Sequence, residues 1–458
     1  VLSLTLAREV AYDAFVLVMK HKRKPEDVLE EAFREHKQDL RRLDRNFIKE
    51  LLYGSLRWNS KLYWILQHTS RRNLDETTGQ IQAALVMGTY QIYCMDRVPE
   101  RAAVNESVEY VRSKGQASAC SFVNGILRQI ARRAEYFAKP DKQKQPTEYL
   151  ALQFSHPKWI VDRWYDRFNF ERMEKILAAN NQPPPNSVRT NTLKIPVEDV
   201  HELQQELLRA EKTHTEKRPL RICLRLKEFP RFDEESLFGE GYYTVQDEAA
   251  QLIGYLVDPQ EGETIVDACC GPGGKLGHIY ELGVGKIKLI GLDRNADRLE
   301  KAKESMTRLG HIEGVEYSVA DFMQWSCPSP PDKILLDAPC SGLGVLRRHP
   351  EGKWQKTQEV VTSLVSTQRD MIAKAIDILK PGGELIYSVC SFEPEESSNH
   401  ADWAIKKFGD RAEIVSPVHR LPDYYKKYVT RDNVLMVYAG NQDDMDGFGA
   451  FILRKKKT

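Results

Sequence analysis

Asp267-Ala268-Cys269-Cys270-Gly271-Pro272-Gly273-Gly274-Lys275 closes the apolar run Thr264 to Ala268, and the reading of this stretch decides the fold. Glycines at a strand-to-helix turn let backbone pass close to a ligand, and the helix start beyond offers free N–H groups. The spacing is neither the GxGxxG of a dinucleotide loop nor the GxxxxGK[ST] of a phosphate loop. The expected ligand is nucleotide-like. Working outward, further strands are expected at Lys288 to Leu292, Val315 to Val319, Lys333 to Leu336 and Glu384 to Val389. Helices are expected between them, at Ala296 to Leu309 and at Val360 to Leu379, where Val361, Leu364, Val365, Ile372, Ile376 and Leu379 share one apolar face. Strand-helix repetition of this kind predicts an α/β domain with a doubly wound parallel sheet. Gly447 to Lys455 reads as its closing strand.

An acid stands at the end of each of the first four strands: Asp267, Asp293, Asp321 and Asp337. In a doubly wound sheet all carboxyl ends open on one crevice, so these acids are expected to share a site. Asp293, twenty residues beyond Gly273, is placed to hydrogen-bond ribose hydroxyls. Two thiols obey the same rule. Cys340 lies just past the fourth strand and Cys390 at the end of the fifth, so fifty residues of chain separate neighbours in the sheet. One such cysteine would read as a small buried hydrophobe; two in one crevice point to thiolate chemistry. Position alone does not say which is the nucleophile.

Residues 1–138 read as helix after helix. Phe47, Leu51, Leu52, Leu56, Tyr63 and Leu66 recur at three- and four-residue steps, as do Val104, Val108 and Val111, with basic Arg128, Arg132 and Arg133 following Phe122, Ile126 and Leu127. The polar, proline-flanked run 139–147 is the linker candidate. Residues 148–243 look mixed, two helices first, then short strands, one of them at Ser187 to Leu193, and a helix. The α/β domain would fill 244–458.

With 458 residues, 41% hydrophobic and 29% charged, the chain is neither disordered nor collagen-like, and its apolar runs are too short for a membrane span. Val1 is no initiator, so a residue or more is expected in front of it, and Val1 to Met19 does not read as a signal peptide. Eight cysteines without a CxxC pair argue against a disulfide framework and against a metal site, and suit a reducing cytoplasm. The net charge of +1 hides an asymmetry, because residues 1–150 carry six more basic than acidic side chains while the rest is mildly acidic. A basic front segment suggests a polyanion partner. A monomer is the default expectation.

The run Asp337-Ala338-Pro339-Cys340-Ser341-Gly342-Leu343-Gly344, followed by Arg347-Arg348-His349-Pro350-Glu351, resembles the fourth motif of the S-adenosylmethionine-dependent RNA 5-methylcytosine methyltransferases. Cys269 to Lys275 resembles their cofactor loop and Val389-Cys390-Ser391 their second cysteine motif. Residues 1–138, with Ala103-Val104-Asn105-Glu106 and Phe122 to Arg128, look like a NusB-type helical RNA-binding domain. The resemblance implies a Rossmann-like class I methyltransferase domain preceded by an all-α NusB-like domain and a small mixed α+β middle domain. It also implies S-adenosylmethionine as cofactor and small-subunit ribosomal RNA as partner. By resemblance Cys390 is the nucleophile, Cys340 assists breakdown of the adduct, and Asp337 sits beside the base, near its nitrogen 3, as well as in the cofactor site. Asp293 would take the ribose and Asp321 the adenine side, while Cys269, Cys270, Gly271, Pro272, Gly273 and Gly274 lie along the methionine end. Lys275 would anchor the loop or reach the nucleotide. Cys269, Leu276 and Val389 depart from the family's usual Ala, Thr or Ser, and Thr at those places.

The chemistry explains the thiols. Carbon 5 of cytosine is a poor nucleophile until a thiolate adds to carbon 6, which divides one difficult step into two. The base must be unstacked to reach the crevice, and Arg347, Arg348 and Lys353 are close enough in sequence to Cys340 to be expected on phosphates. Two other classes compete: a methyltransferase acting on an exocyclic amine, which Asp337 to Cys340 faintly resembles, and a non-catalytic RNA-binding or assembly factor.

Overall fold

The computed structural model describes residues 4–133, 139–230, 232 and 235–457. The ends of the expected helical segment, 1–3 and 134–138, and the side chain of Arg133 lie outside the described residues. The chain forms two compact units: residues 1–182 with Leu346–Thr357, and Pro183–Val345 with residues 358–458.

The first unit is helical throughout its described residues. Seven helices run from Leu6–His21 to Cys120–Arg133. The stripe from Asp44 to Leu66 is divided at Trp58 into helices Arg42–Arg57 and Asn59–Thr69, and buries Leu51, Leu52, Leu56 and Leu66. A buried ion pair crosses this core: Arg8 Nη1 lies 2.7 Å from Glu106 Oε1, and its Nε donates to Gln91 Oε1 at 2.6 Å, so both charges are compensated. Three further helices, Pro146–Gln153, Lys158–Tyr165 and Phe170–Ala179, belong to the same unit, one more than the sequence suggested for that stretch.

The segment Leu346–Thr357 completes this unit and corrects one expectation. Lys353 is only 1% exposed, and its ammonium donates to Arg57 O (3.1 Å), Ser155 O (3.1 Å) and Asn181 Oδ1 (2.7 Å). All three of its protons are taken, so Lys353 holds protein and not a phosphate. Trp354 Nε1 donates to Leu56 O at 2.6 Å and Gln355 Nε2 to Val18 O at 2.9 Å. Arg347 is buried as well, and Arg348 is half-buried.

The second unit contains two sheets. Strands β1 (Asn186–Thr190), β2 (Thr215–Lys217), β3 (Cys223–Leu226) and β4 (Tyr243–Val245) form an antiparallel sheet in the order β2-β3-β1-β4. Helix Val200–Ala210 contributes Val200, Leu203 and Leu207 to a core shared with Val188, Leu224, Leu226 and Tyr243. The larger sheet runs β10-β12-β9-β8-β5-β6-β7, with β11 also paired to β12. Its strands are β5 (Thr264–Asp267), β6 (Lys288–Asp293), β7 (Val315–Val319), β8 (Lys333–Asp337), β9 (Glu384–Val389), β10 (Ala412–Val415), β11 (Leu435–Val437) and β12 (Phe448–Lys455).

Strands β7, β6, β5, β8 and β9 are parallel neighbours and make the expected Rossmann-like, doubly wound core. The closing strand, β12, whose direction the sequence does not state, pairs antiparallel with β9, β10 and β11. No crossover helix precedes β11 or β12, and without one a returning strand pairs antiparallel. Arg189, fully buried on β1, pairs with Glu281 of helix Gly274–Leu282 at 2.9 Å and donates to Gly274 O at 2.8 Å, which joins the small sheet to the first helix of the large one.

Candidate active site

The order β7-β6-β5-β8-β9 sets the carboxyl ends of five strands in a row, and the sense of winding reverses between β5 and β8. A crevice forms at such a reversal. Asp267, Asp293 and Asp337 are the last residues of β5, β6 and β8, and Asp321 follows β7 by two residues.

The loop after β5 is shaped by glycine. Gly273 has φ +85, and a Cβ there would come within 3.1 Å of Ala302, so the turn tolerates neither the conformational nor the steric demand of a larger residue. Helix Gly274–Leu282 begins directly beyond and directs its unbonded N–H groups back toward the loop. Asp293 braces the same loop, its Oδ2 accepting from Gly271 N at 3.0 Å and its Oδ1 from Asn295 N at 2.8 Å. Ala320 N donates to Asp293 O at 3.0 Å, which brings the exposed Asp321 to the neighbouring strand end. Cys270 is buried and Cys269 half-buried, and burial pushes both thiols up, so they remain neutral.

Asp267 is the unusual acid. It is 1% exposed, no side chain among the described residues bonds either carboxylate oxygen, and the backbone N–H of Cys269 is its one weak donor. Burial first, and the nearby charge of Asp337 second, push its carboxyl up to about 7. A buried acid so poorly satisfied at a crevice floor marks a place for a cationic or donor group. S-adenosylmethionine carries an ammonium and a sulfonium, and the ring of Asp267, Asp293, Asp321 and the glycine loop suits both its charge and its ribose hydroxyls.

The two thiols meet. Cys340 Sγ and Cys390 Sγ are 3.2 Å apart, each half-buried at the ends of adjacent parallel strands. Contact with Cys390 and burial hold the Cys340 thiol well above its ordinary range, and the charges of Glu396 and Asp337 add to the effect. Beside them Lys275 Nζ lies 2.6 Å from Asp337 Oδ2, and Ser388 Oγ donates to Asp337 Oδ1 at 2.7 Å. Burial acts to lower the Lys275 ammonium, but Asp337, Cys390 and Asp267 outweigh it and raise it. Lys275, paired with Asp337, therefore lies within electrostatic reach of Cys390, the kind of neighbour that favours a thiolate. Gly344 N donates to Cys390 O at 3.1 Å, and a Cβ on Gly344 would meet that oxygen at 2.9 Å, so the loop after Cys340 lies directly on the backbone of Cys390.

Two participants escaped the reading of the sequence. Ser388 precedes Cys390 by two residues, a period-two signal for the same strand face. Glu396 lies six residues beyond Cys390, and its signal was the repeated Cys-Ser pair, Cys340-Ser341 and Cys390-Ser391, of which it binds Ser341 directly and Ser391 through Ser341.

Residues 254–453 match the family described as 16S rRNA methyltransferase RsmB/F, residues 5–132 the NusB family, and residues 156–230 the ferredoxin-like domain of RsmF/B-like methyltransferases. The probable ribosomal RNA small subunit methyltransferase B of Bacillus subtilis (strain 168) is 30% identical over 464 positions, covering 99% of each chain. The chain belongs to the RsmB/F methyltransferase family. As a member it is an S-adenosylmethionine-dependent methyltransferase with a NusB domain, a ferredoxin-like middle domain and a Rossmann-like methyltransferase domain. Among solved structures, that of PH0851 covers 99% of both chains at 23% identity with a TM-score of 0.80. A methyltransferase homolog protein from Pyrococcus horikoshii, 26% identical, covers 67% of this chain and 97% of its own with a TM-score of 0.56. No helix among the described residues is long and apolar enough to cross a membrane.

Proposed function

We propose that this RsmB/F member methylates carbon 5 of a cytosine in small-subunit ribosomal RNA through a covalent cysteine–cytosine adduct. The observation that carries the reading is the pair of thiols 3.2 Å apart beside the Lys275–Asp337 ion pair. An enzyme acting on an exocyclic amine has no use for a second thiol in contact with the first. The relatives' names supply the class of RNA, and the NusB domain fits a polyanion.

Cys390, within electrostatic reach of the Lys275 ammonium, is the nucleophile, and its sulfur bonds to carbon 6 as the electron pair of the 5,6 double bond moves toward carbon 5. Asp337 sits near nitrogen 3 and stabilises charge developing on the ring. When bound, S-adenosylmethionine supplies the methyl group, on a cationic sulfur, that carbon 5 accepts. Cys340 assists breakdown of the adduct: in its thiolate form it takes the carbon 5 proton, becoming the thiol, and the electron pair left on carbon 5 re-forms the 5,6 double bond. The bond from Cys390 to carbon 6 then breaks and returns the thiolate. Asp267 would receive the cofactor's ammonium, Asp293 its ribose, Asp321 its adenine side, and the backbone of Cys269 to Gly274 its methionine end. Lys275 anchors the loop to Asp337.

The test is incubation of wild type, Cys390→Ala and Cys340→Ala with labelled S-adenosylmethionine and deproteinised small-subunit ribosomal RNA, scoring methyl transfer and denaturant-resistant protein–RNA adducts. Cys390→Ala should abolish both, and Cys340→Ala should accumulate adduct while turnover falls at least 100-fold. Wild-type turnover in both variants would remove the thiols from the reaction.

A further inference from the structure

We infer that Glu396 is a positioning residue that holds the Cys340 and Cys390 loops in contact; the inference rests on the two-thiol reading above. Glu396 is fully buried at the turn Pro394–Glu396, between β9 and helix Ser398–Phe408. It touches neither thiol. Its Oε1 accepts from Ser341 N at 2.8 Å and from Gln368 Nε2 at 3.2 Å, and its Oε2 from Ser341 Oγ at 2.5 Å. Ser341 Oγ reaches Ser391 Oγ at 3.3 Å. Each cysteine is thus followed by a serine, and the serine bound to the carboxylate, Ser341, contacts the other.

The other side of Cys340 is held by the same group of residues. Gln368, fully buried on helix Gln358–Ile378, donates to Pro339 O at 2.9 Å as well as to Glu396, and its Oε1 lies 2.8 Å from His400 Nε2. Cys340 therefore sits between a carbonyl and an N–H that are both fixed to the Gln368–Glu396 pair. Tyr387 of β9, three residues before Cys390, donates its hydroxyl to Glu396 O at 2.9 Å. A buried carboxylate is costly unless hydrogen bonds meet it. Here those bonds fall on Ser341 and Gln368, beside Cys340, and reach the Cys390 loop through the Ser341–Ser391 contact, where rigid support has most effect on reacting groups.

The test measures thiol contact apart from catalysis. Diamide takes two electrons from a thiol pair as their S–S bond forms, so the rate of Cys340–Cys390 coupling, read by mass spectrometry of the digested protein, reports how often the sulfurs meet. Wild type, Glu396→Gln, Ser341→Ala and Ser341→Thr are compared at a temperature where each retains its melting transition and its affinity for S-adenosylmethionine. Glu396→Gln and Ser341→Ala should couple at least 10-fold more slowly and lose 10- to 100-fold in methyl transfer, with Ser341→Thr restored toward wild type. Coupling within twofold of wild type in both loss variants overturns the inference. Slower coupling with unchanged methyl transfer supports the positioning role and sinks the two-thiol mechanism instead. Should Glu396→Gln fail to fold, Ser341→Ala decides alone, since it removes one hydroxyl and leaves the carboxylate.

Discussion

Asp267 is where a single side chain sets the sign of a measurable effect. The folded, ligand-free chain holds its proton up to about 7, whereas the unfolded chain releases it near the ordinary 3.8. Between those values the folded state binds more protons, so stability falls as pH rises, by up to ~4 kcal/mol in all at ~1.4 kcal/mol per unit. Asp267→Asn should therefore melt higher than wild type at pH 8 without ligand, and the difference should shrink toward pH 5. It should also bind S-adenosylmethionine about tenfold more weakly, a loss of ~1.4 kcal/mol. Calorimetry and differential scanning at the two pH values check both outcomes; a variant that melts no higher at pH 8 removes Asp267 as a strained acid. Stability is thus lost at the position proposed for the cofactor's ammonium.

At the scale of elements, strand ends were legible and side-chain fates were not. Apolar runs bounded by Asp267, Asp293 and Asp337 announce themselves by composition, and the observed β5, β6 and β8 end on those acids. Cys340 and Cys390 could be paired in advance because adjacent parallel strands bring their carboxyl ends together whatever the length of the crossover. Lys353 was misread for a physical reason. A lysine in a basic run defaults to solvent, and its burial here depends on carbonyls of Arg57 and Ser155, nearly 300 and 200 residues distant in sequence. Glu396 escaped likewise, since its partners Ser341 and Gln368 are 55 and 28 residues away in sequence and only the repeated Cys-Ser pair hinted at them. Lys353→Met should leave three acceptors without a donor and destabilise the first unit by ~3 kcal/mol or more. It should leave unchanged the salt dependence of RNA binding, because no phosphate contact is lost. A weaker salt slope in this variant, measured by filter binding between low and moderate salt, would return Lys353 to the RNA.

Over the whole molecule, the fold class follows from short-range pattern and the mixed edge of the sheet does not. Nothing local to Phe448–Lys455 states that it will insert between β9 and β10, because that choice depends on which edges are free once the parallel core has formed. The division into two units was equally hidden. Leu346–Thr357 follows the Cys340 loop in sequence yet belongs with residues 1–182, fixed there by Lys353, Trp354 and Gln355. The chain therefore passes between its units three times, after Gln182, after Val345 and after Thr357. One consequence concerns severed chains. A nick after Gln182 would produce a long carboxyl-terminal piece that still carries a twelve-residue plug for the amino-terminal piece, with a tryptophan and a lysine as its prongs. The two pieces, produced separately, should reassemble on mixing and co-elute, and Trp354→Ala should release them, a built-in split protein whose reunion can be read as a single chromatographic peak.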